Sequence, residues 1–214
     1  MRRTLALTAI LLAPAAVGAQ QAAPTRVDAR GLGWQVRSDG NKEISQLAFV
    51  EMKPGWHITT GNVAGIFYRP EMTGVGAYTA TMKVYFFGPA SAHPEAYGLM
   101  VGGKDLPGAT QRYLYFVIRN DGKFLIKTRN GDATADVTPW TAAPAIKTIA
   151  ATDTANVLNT LSIQATKDAV QFLINGTIVA AKPRKDLAVD GVVGMRINHQ
   201  LNLHVADLSV VAAK

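Results

Sequence analysis

The stretch "DAVQFLINGTIVAAKPRKDLAVDGVVGMRINHQLNLHVADLSV", Asp168 to Val210, decides how this chain is read. Apolar side chains alternate through Val170, Phe172 and Ile174 and stop at Asn175-Gly176. Asn-Gly between two apolar runs specifies a tight hairpin, because its turn positions take positive φ. The return strand is read as Thr177 to Ala181. A basic loop follows, and Val192 to Ile197 and Leu201 to Val211 supply two closing strands.

Upstream the same grammar repeats. Leu158 to Thr166 turns at Lys167-Asp168 into the hairpin strand Val170 to Ile174. Arg112 to Arg119 turns at Asn120-Asp121-Gly122 into Lys123 to Arg129, and Asp-Gly is again a hairpin signal. Along Tyr78 to Phe87, "YTATMKVYFF", Tyr78, Ala80, Met82, Val84 and Phe86 share one face, and Lys83 and Tyr85 lie opposite. Period two with one apolar face marks a half-buried antiparallel strand. Beyond the N-terminal segment, no run of ten or more residues holds a helical period. The spacing of turn signals predicts an all-β antiparallel sandwich or barrel in one domain over residues 31–214. With no cysteine among 214 residues, no disulfide reinforces it. A domain of this size buries roughly 70% of its chain surface, which suffices.

Residues 1–19, "MRRTLALTAILLAPAAVGA", have the layout of a cleaved export signal: Arg2-Arg3, an apolar run from Leu5 to Val17 too short to span a bilayer, and Val17-Gly18-Ala19 for the peptidase. The arginine pair raises the twin-arginine route, but Thr4-Leu5-Ala6 does not extend that motif, so the general route is expected. Residues 20–30 read as a flexible leader. The expected destination is the periplasm or the extracellular space. Removing Arg2 and Arg3 takes the net charge from +7 to 7 − 2 = +5, and the remaining cations are scattered. Nucleic acid is therefore not an expected partner, nor is a membrane once the signal is cleaved.

"NTLSIQATKDAVQFLINGTIVA", "DGVVGMRI" and "LNLHVADLSV", with "YGLMVGG" and "YLYFVIRNDGKFLIKTR" in the middle, resemble the strands of concanavalin A-like jelly rolls. Among these, the laminin-G-like domains and the 3-keto-disaccharide hydrolase type are the most similar. The resemblance covers roughly Gly31 to Val210. It implies a jelly-roll sandwich that binds a saccharide or other small polar ligand, often on a concave sheet face. Fold alone does not fix activity.

Strand alternation places Tyr85, Tyr113, Tyr115, Arg119, Lys127, Arg129, Arg196 and Asn198 opposite the apolar side chains of their strands. If those strands are neighbours, one face carries phenol rings among cations and amides. Rings stack on the C–H face of a pyranose, and guanidinium and amide groups bond its hydroxyls or a carboxylate. The same pattern also fits a solvated sheet face, where tyrosine is simply a good strand former, or a partner-protein surface. Trp56 and His57, in "GWHITTGNVAGIFYRP", are expected at the rim in a Gly-flanked bend. His93 and Glu95, around Pro94, are the candidate acid–base pair. Trp140 is read as packing.

The familiar enzyme signatures are missing. There is no Glu-x-Asp-x-x-Glu strand, no Gly-x-Ser-x-Gly and no His-Glu-x-x-His, and His57, His93, His199 and His204 lack metal-ligand spacing. No metal or cofactor is expected. The function expected from the sequence is a non-catalytic carbohydrate-binding domain. A glycoside-cleaving enzyme and an envelope interaction domain remain as alternatives.

Overall fold

A computed structural model of the chain describes residues 29–89, 93–150 and 152–213. The expected export signal and nearly all of the leader lie outside these residues. Among the described residues, no helix is long and apolar enough to cross a membrane. Fourteen strands account for most of the rest: β1 Gln35–Ser38, β2 Ala48–Glu51, β3 Trp56–Thr59, β4 Gly65–Gly74, β5 Tyr78–Phe87, β6 Ala96–Lys104 and β7 Arg112–Arg119. They continue with β8 Lys123–Asn130, β9 Ala133–Ala142, β10 Asn156–Ala165, β11 Ala169–Ile174, β12 Thr177–Pro183, β13 Gly191–Ile197 and β14 Asn202–Ala212.

The strands form two seven-stranded antiparallel sheets. Sheet I runs β1-β4-β13-β6-β7-β8-β9, and sheet II runs β12-β11-β10-β5-β14-β3-β2. The last two strands are central in both: β13 sits between β4 and β6, and β14 between β5 and β3. Thus the C-terminal stretch fills a gap in each sheet as well as extending the chain. Proline falls where a missing N–H is tolerated: Pro139 is in edge strand β9 and Pro183 ends edge strand β12.

Side-chain alternation builds one shared core. Leu114, Phe116 and Ile118 from β7 face Leu161, Ile163, Phe172 and Ile174 from β10 and β11, all nearly inaccessible. Aromatic pairs bridge the sheets: Phe116 meets Phe172 edge-on at 5.4 Å between centroids, and Phe86 stacks on Tyr97 at 5.8 Å. Burying each such ring contributes about 2–3 kcal/mol of transfer free energy.

The core also holds a polar knot. Asn159 is fully buried on β10. Its Oδ1 accepts from Lys147 N (3.0 Å) and from Asn175 Nδ2 (2.9 Å), while its Nδ2 donates to Lys147 O (2.9 Å). Asn175 stands at the hairpin turn with φ 51°, and its Nδ2 also donates to Ala145 O at 2.8 Å. Two amides therefore satisfy the backbone of the β9–β10 connection against the β11–β12 hairpin. That arrangement makes Asn175-Gly176 a packing anchor as well as a turn.

Five strands were not read from the sequence: β1, β2, β3, β4 and β9. Trp56 and His57, expected in a rim bend, lie in β3. The indole of Trp56 faces inward and meets Trp34 edge-on at 5.0 Å.

Asn159→Ala would remove the part-buried hydrogen bonds to the N–H and C=O of Lys147 and open a gap at a fully buried position. It should lower unfolding free energy by about 2 kcal/mol, read from urea denaturation. A loss no larger than that of an exposed-site control such as Lys83→Ala would contradict the knot's role.

Candidate functional site

The register of sheet I places side chains across its outer face in rows. One row runs Tyr68, Gly194, Met100, Tyr115, Lys127, Asp136; the next runs Arg37, Ile66, Arg196, Gly98, Val117, Leu125. Along this face Ile66, Met100, Val117 and Leu125 are buried although they point away from the main core. A merely solvated sheet face has no buried apolar floor; here Tyr68, Tyr113 and Tyr115 pack against it.

Tyr113, Tyr115, Lys127, Arg129, Arg196 and Asn198 do share this outer face. Their accessibility differs. Tyr113 is only 4% exposed and packs with Ile66, Tyr68, Met100 and Leu106, so it is part of the floor and offers no open ring. Tyr115 is half-buried, with the Arg196 guanidinium 5.7 Å from its ring centroid. Burial raises the pKa of both phenols, and the Asp39 charge adds to it.

Arg196 anchors a chain of hydrogen bonds running to the end of the sheet. Its Nη1 donates to Asp39 Oδ1 at 2.7 Å, and its Nη2 donates to Asp39 Oδ2 and, at 3.2 Å, to Asn198 Oδ1. Asn198 Nδ2 donates to Glu95 Oε2 at 3.1 Å. Glu95 Oε1 lies 2.8 Å from His93 Nδ1 and 3.1 Å from His199 Nε2. The Glu95 side chain is 3% exposed, against 80% for His93 and 44% for His199. Burial works to raise the Asp39 pKa. The hydrogen bonds and charge of Arg196, with Arg129 and Arg37 behind it, outweigh burial and hold Asp39 below the usual aspartate value. Burial likewise works against the Arg196 charge, and Asp39 overcomes it.

The remaining cations are also held by acids. Lys127 Nζ lies 3.1 Å from Asp136, and Arg129 donates to Gly131 O at 2.9 Å with Asp132 at 3.7 Å. Arg119 grips Asp121 with two bonds while stacking on the exposed Trp140, 4.0 Å from its centroid. Trp140, on β9, thus covers the Arg119 guanidinium of β7.

The single-face expectation fails for Tyr85, and the rim expectation fails for Trp56 and His57. Tyr85 and His57 lie on the outer face of sheet II, and Trp56 faces the core. On sheet II, His57 pairs across strands with His204, and His204 with Tyr85. The ring centroids are 6.2 and 6.1 Å apart, and Phe87 lies 5.5 Å from His57. Burial, reinforced by His204, pushes the His57 pKa below its ordinary value. Alternation correctly places Tyr85 outward; what it does not contain is which sheet receives β5.

Asp39 and His199 are the members of this network that sequence reasoning missed. Asp39 sits in "SDGN", which reads only as a turn, yet that turn brings its carboxylate to β13. His199 lies in the β13–β14 turn, and pattern alone does not point it at Glu95. Among the described residues, no group of three or more His, Cys, Asp or Glu is arranged to hold a metal ion.

No family model and no curated protein matches the chain. Solved structures match in fold. A carbohydrate binding module, CBM66 from Bacillus subtilis, aligns with a TM-score of 0.59 at 10% identity, over 84% of this chain and 96% of that one. The potassium-bound carbohydrate recognition domain of Emp46p aligns at 0.54 and 13%, over 87% and 93%. A Bacillus subtilis protein of unknown function with a galectin-like fold aligns at 0.53 and 14%, over 88% and 93%. At such identities the likeness is one of fold alone, and the fold is a two-sheet antiparallel jelly-roll sandwich.

Proposed function

We propose that this chain is an exported, non-catalytic carbohydrate-binding domain that takes a saccharide on the outer face of sheet I, around Tyr115 and Arg196. The observation that carries the reading is the fixed sequence Asp39–Arg196–Asn198–Glu95 beside the Tyr115 ring. A sugar hydroxyl both donates and accepts, and it is best met by donors and acceptors already locked in place. Lys127 and Arg129 flank the ring as further donors, and Tyr115 supplies its stacking surface. Tyr113 supports that surface from below. The fold neighbours that are described as carbohydrate-binding or carbohydrate-recognising domains support the same class of ligand. The export half of the proposal rests on the layout of residues 1–19.

The bonding of Glu95 favours a binder over an enzyme. Its carboxylate already takes hydrogen bonds at both oxygens, from Asn198 on one side and facing His93 and His199 on the other. A carboxylate so held orients neighbours; a general acid needs an oxygen open to the leaving group. The glycoside-cleaving alternative keeps one favouring observation, the two imidazoles on a single buried carboxylate.

Binding to a glycan array, followed by calorimetry on the best-bound glycan, tests the face. Tyr115→Ala and Arg196→Ala should each weaken binding roughly tenfold or more, and affinities unchanged from wild type would remove the site. Incubated with simple and 3-keto disaccharides, the wild-type protein should release no monosaccharide. Turnover that disappears in Glu95→Gln would replace the binder with a hydrolase.

The Asp39–Arg196 pair also sets an acid response. The folded pKa of Asp39 lies below the unfolded value of 3.8, so the pair's contribution is fully present above that value and is lost as pH falls through the folded one. The stability difference between wild type and Asp39→Asn should therefore stay constant from neutrality down to about pH 3.8 and shrink below it, measured by urea denaturation. A difference that grows on acidification would contradict the pairing.

A further inference from the structure

The polar bend singled out in "GWHITTGNVAGIFYRP" is not absorbed by the sheet-face reading. Thr59 and Gly61 line a cavity of about 360 Å³ at the end of the sandwich, where loops from both sheets converge. Phe86, Phe87 and Asn202 join them from sheet II; Asn120 and Asp121 enter from the β7–β8 turn. Pro94 and Glu95 form a wall, and Glu95 also ends the hydrogen-bond chain of the sheet face. The cavity and the face therefore lie on two sides of one short segment.

The lining has a definite chemistry. Among the described residues, no lysine, arginine or histidine lines it, and the two ionisable residues that do are carboxylic acids, Glu95 and Asp121. Asp121 is held by two bonds from Arg119, which leaves acceptor capacity on a fixed carboxylate. Asn120 is locked to the backbone of Ile149 in both directions, at 3.0 and 2.9 Å, so the turn that carries Asp121 is anchored. Phe87 contributes an aromatic surface, while Thr59, Gln200 and Asn202 contribute a hydroxyl and amides.

We infer that this cavity is a second ligand site, taking a neutral sugar ring or small polyol and rejecting acidic ones. A ring placed there would set a C–H face against Phe87, donate hydroxyls to Asp121 and accept from Asn202 or Thr59. A carboxylated sugar would bring a like charge toward two acids, and the guanidinium nearest them, Arg119, is already engaged by Asp121. The outer face of sheet I carries arginines and lysine, so the two sites differ in charge preference. The inference does not need the sheet face to bind sugar, and either site can fail alone.

Amide chemical-shift mapping with methyl glycosides of glucose, galactose, mannose and xylose, against the methyl glycoside of glucuronic acid, tests it. Neutral glycosides should perturb the amides of Thr59, Asp121 and Asn202. Thr59→Trp, on an exposed strand position, should fill the cavity and abolish the effect. Asp121→Asn should weaken it roughly tenfold, and Tyr115→Ala should leave it intact. A well-dispersed amide spectrum reports folding of each variant; if Thr59→Trp does not fold, Asp121→Asn decides alone. The site is overturned if no neutral glycoside perturbs those amides, if the perturbation survives Thr59→Trp, if Asp121→Asn leaves affinity unchanged, or if glucuronide binds as well as glucoside. Loss of the cavity response in Tyr115→Ala would show that the signal belongs to the sheet face and would likewise overturn it.

Discussion

Everything in this sandwich depends on β13 and β14 being inserted between strands contributed from far earlier in the chain. Without β13, β4 and β6 have no partner between them; without β14, β5 and β3 are separated. Backbone N–H and C=O groups buried in a sheet must be paired, so neither sheet is complete until the last strands dock. The insertion places function too. Arg196 belongs to β13, and docking sets it opposite Ile66 on one side and Gly98 on the other. There it meets Asp39 from the turn that follows β1 and Tyr115 two strands away.

Most cations on the outer face of sheet I are paired with acids, while Arg37 is held by the carbonyls of Leu106 and Gly108. Arg196, Lys127, Arg129 and Arg119 each have an acidic neighbour. Such pairs add little to stability when exposed. Their effect is conformational, because a guanidinium held by two bonds has one orientation, with its remaining donors aimed at fixed directions. A surface meant only for solubility does not need that order. The buried floor of Ile66, Met100, Val117 and Leu125 adds to it by packing the aliphatic stems and phenol rings from beneath.

Much of this was legible in the sequence, and the boundary of legibility has a physical cause. The alternation in "YTATMKVYFF" and "RYLYFVIR" fixes inward and outward sets because the pleat has period two, and β5 and β7 fall where the pattern puts them. Asn175-Gly176 and Asp121-Gly122 mark turns because positive φ is costly elsewhere. Short or irregular strands carry too few alternations to register: β1 and β3 have four residues each, and β9 is nearly all exposed. Strand order is not a local property at all. Tyr85 and Tyr115 have equivalent patterns and lie on opposite sheets. Asp39 and His199 act through contacts across the fold, which no spacing rule along the chain encodes. Glu95 was visible as a loop carboxylate beside His93, but its burial and its tie to Asn198 were not.

The topology carries a consequence for the order of synthesis. Gly65 pairs with Ile197, and Tyr78 with Ala212, so a ribosome must deliver β13 and β14 before either layer can be zipped shut. Until then the early strands expose open ladders on both sides, the condition in which β-rich nascent chains recruit chaperones or aggregate. High contact separation also slows the final collapse. The sandwich therefore becomes compact only once β13 and β14 have emerged to fill the two gaps.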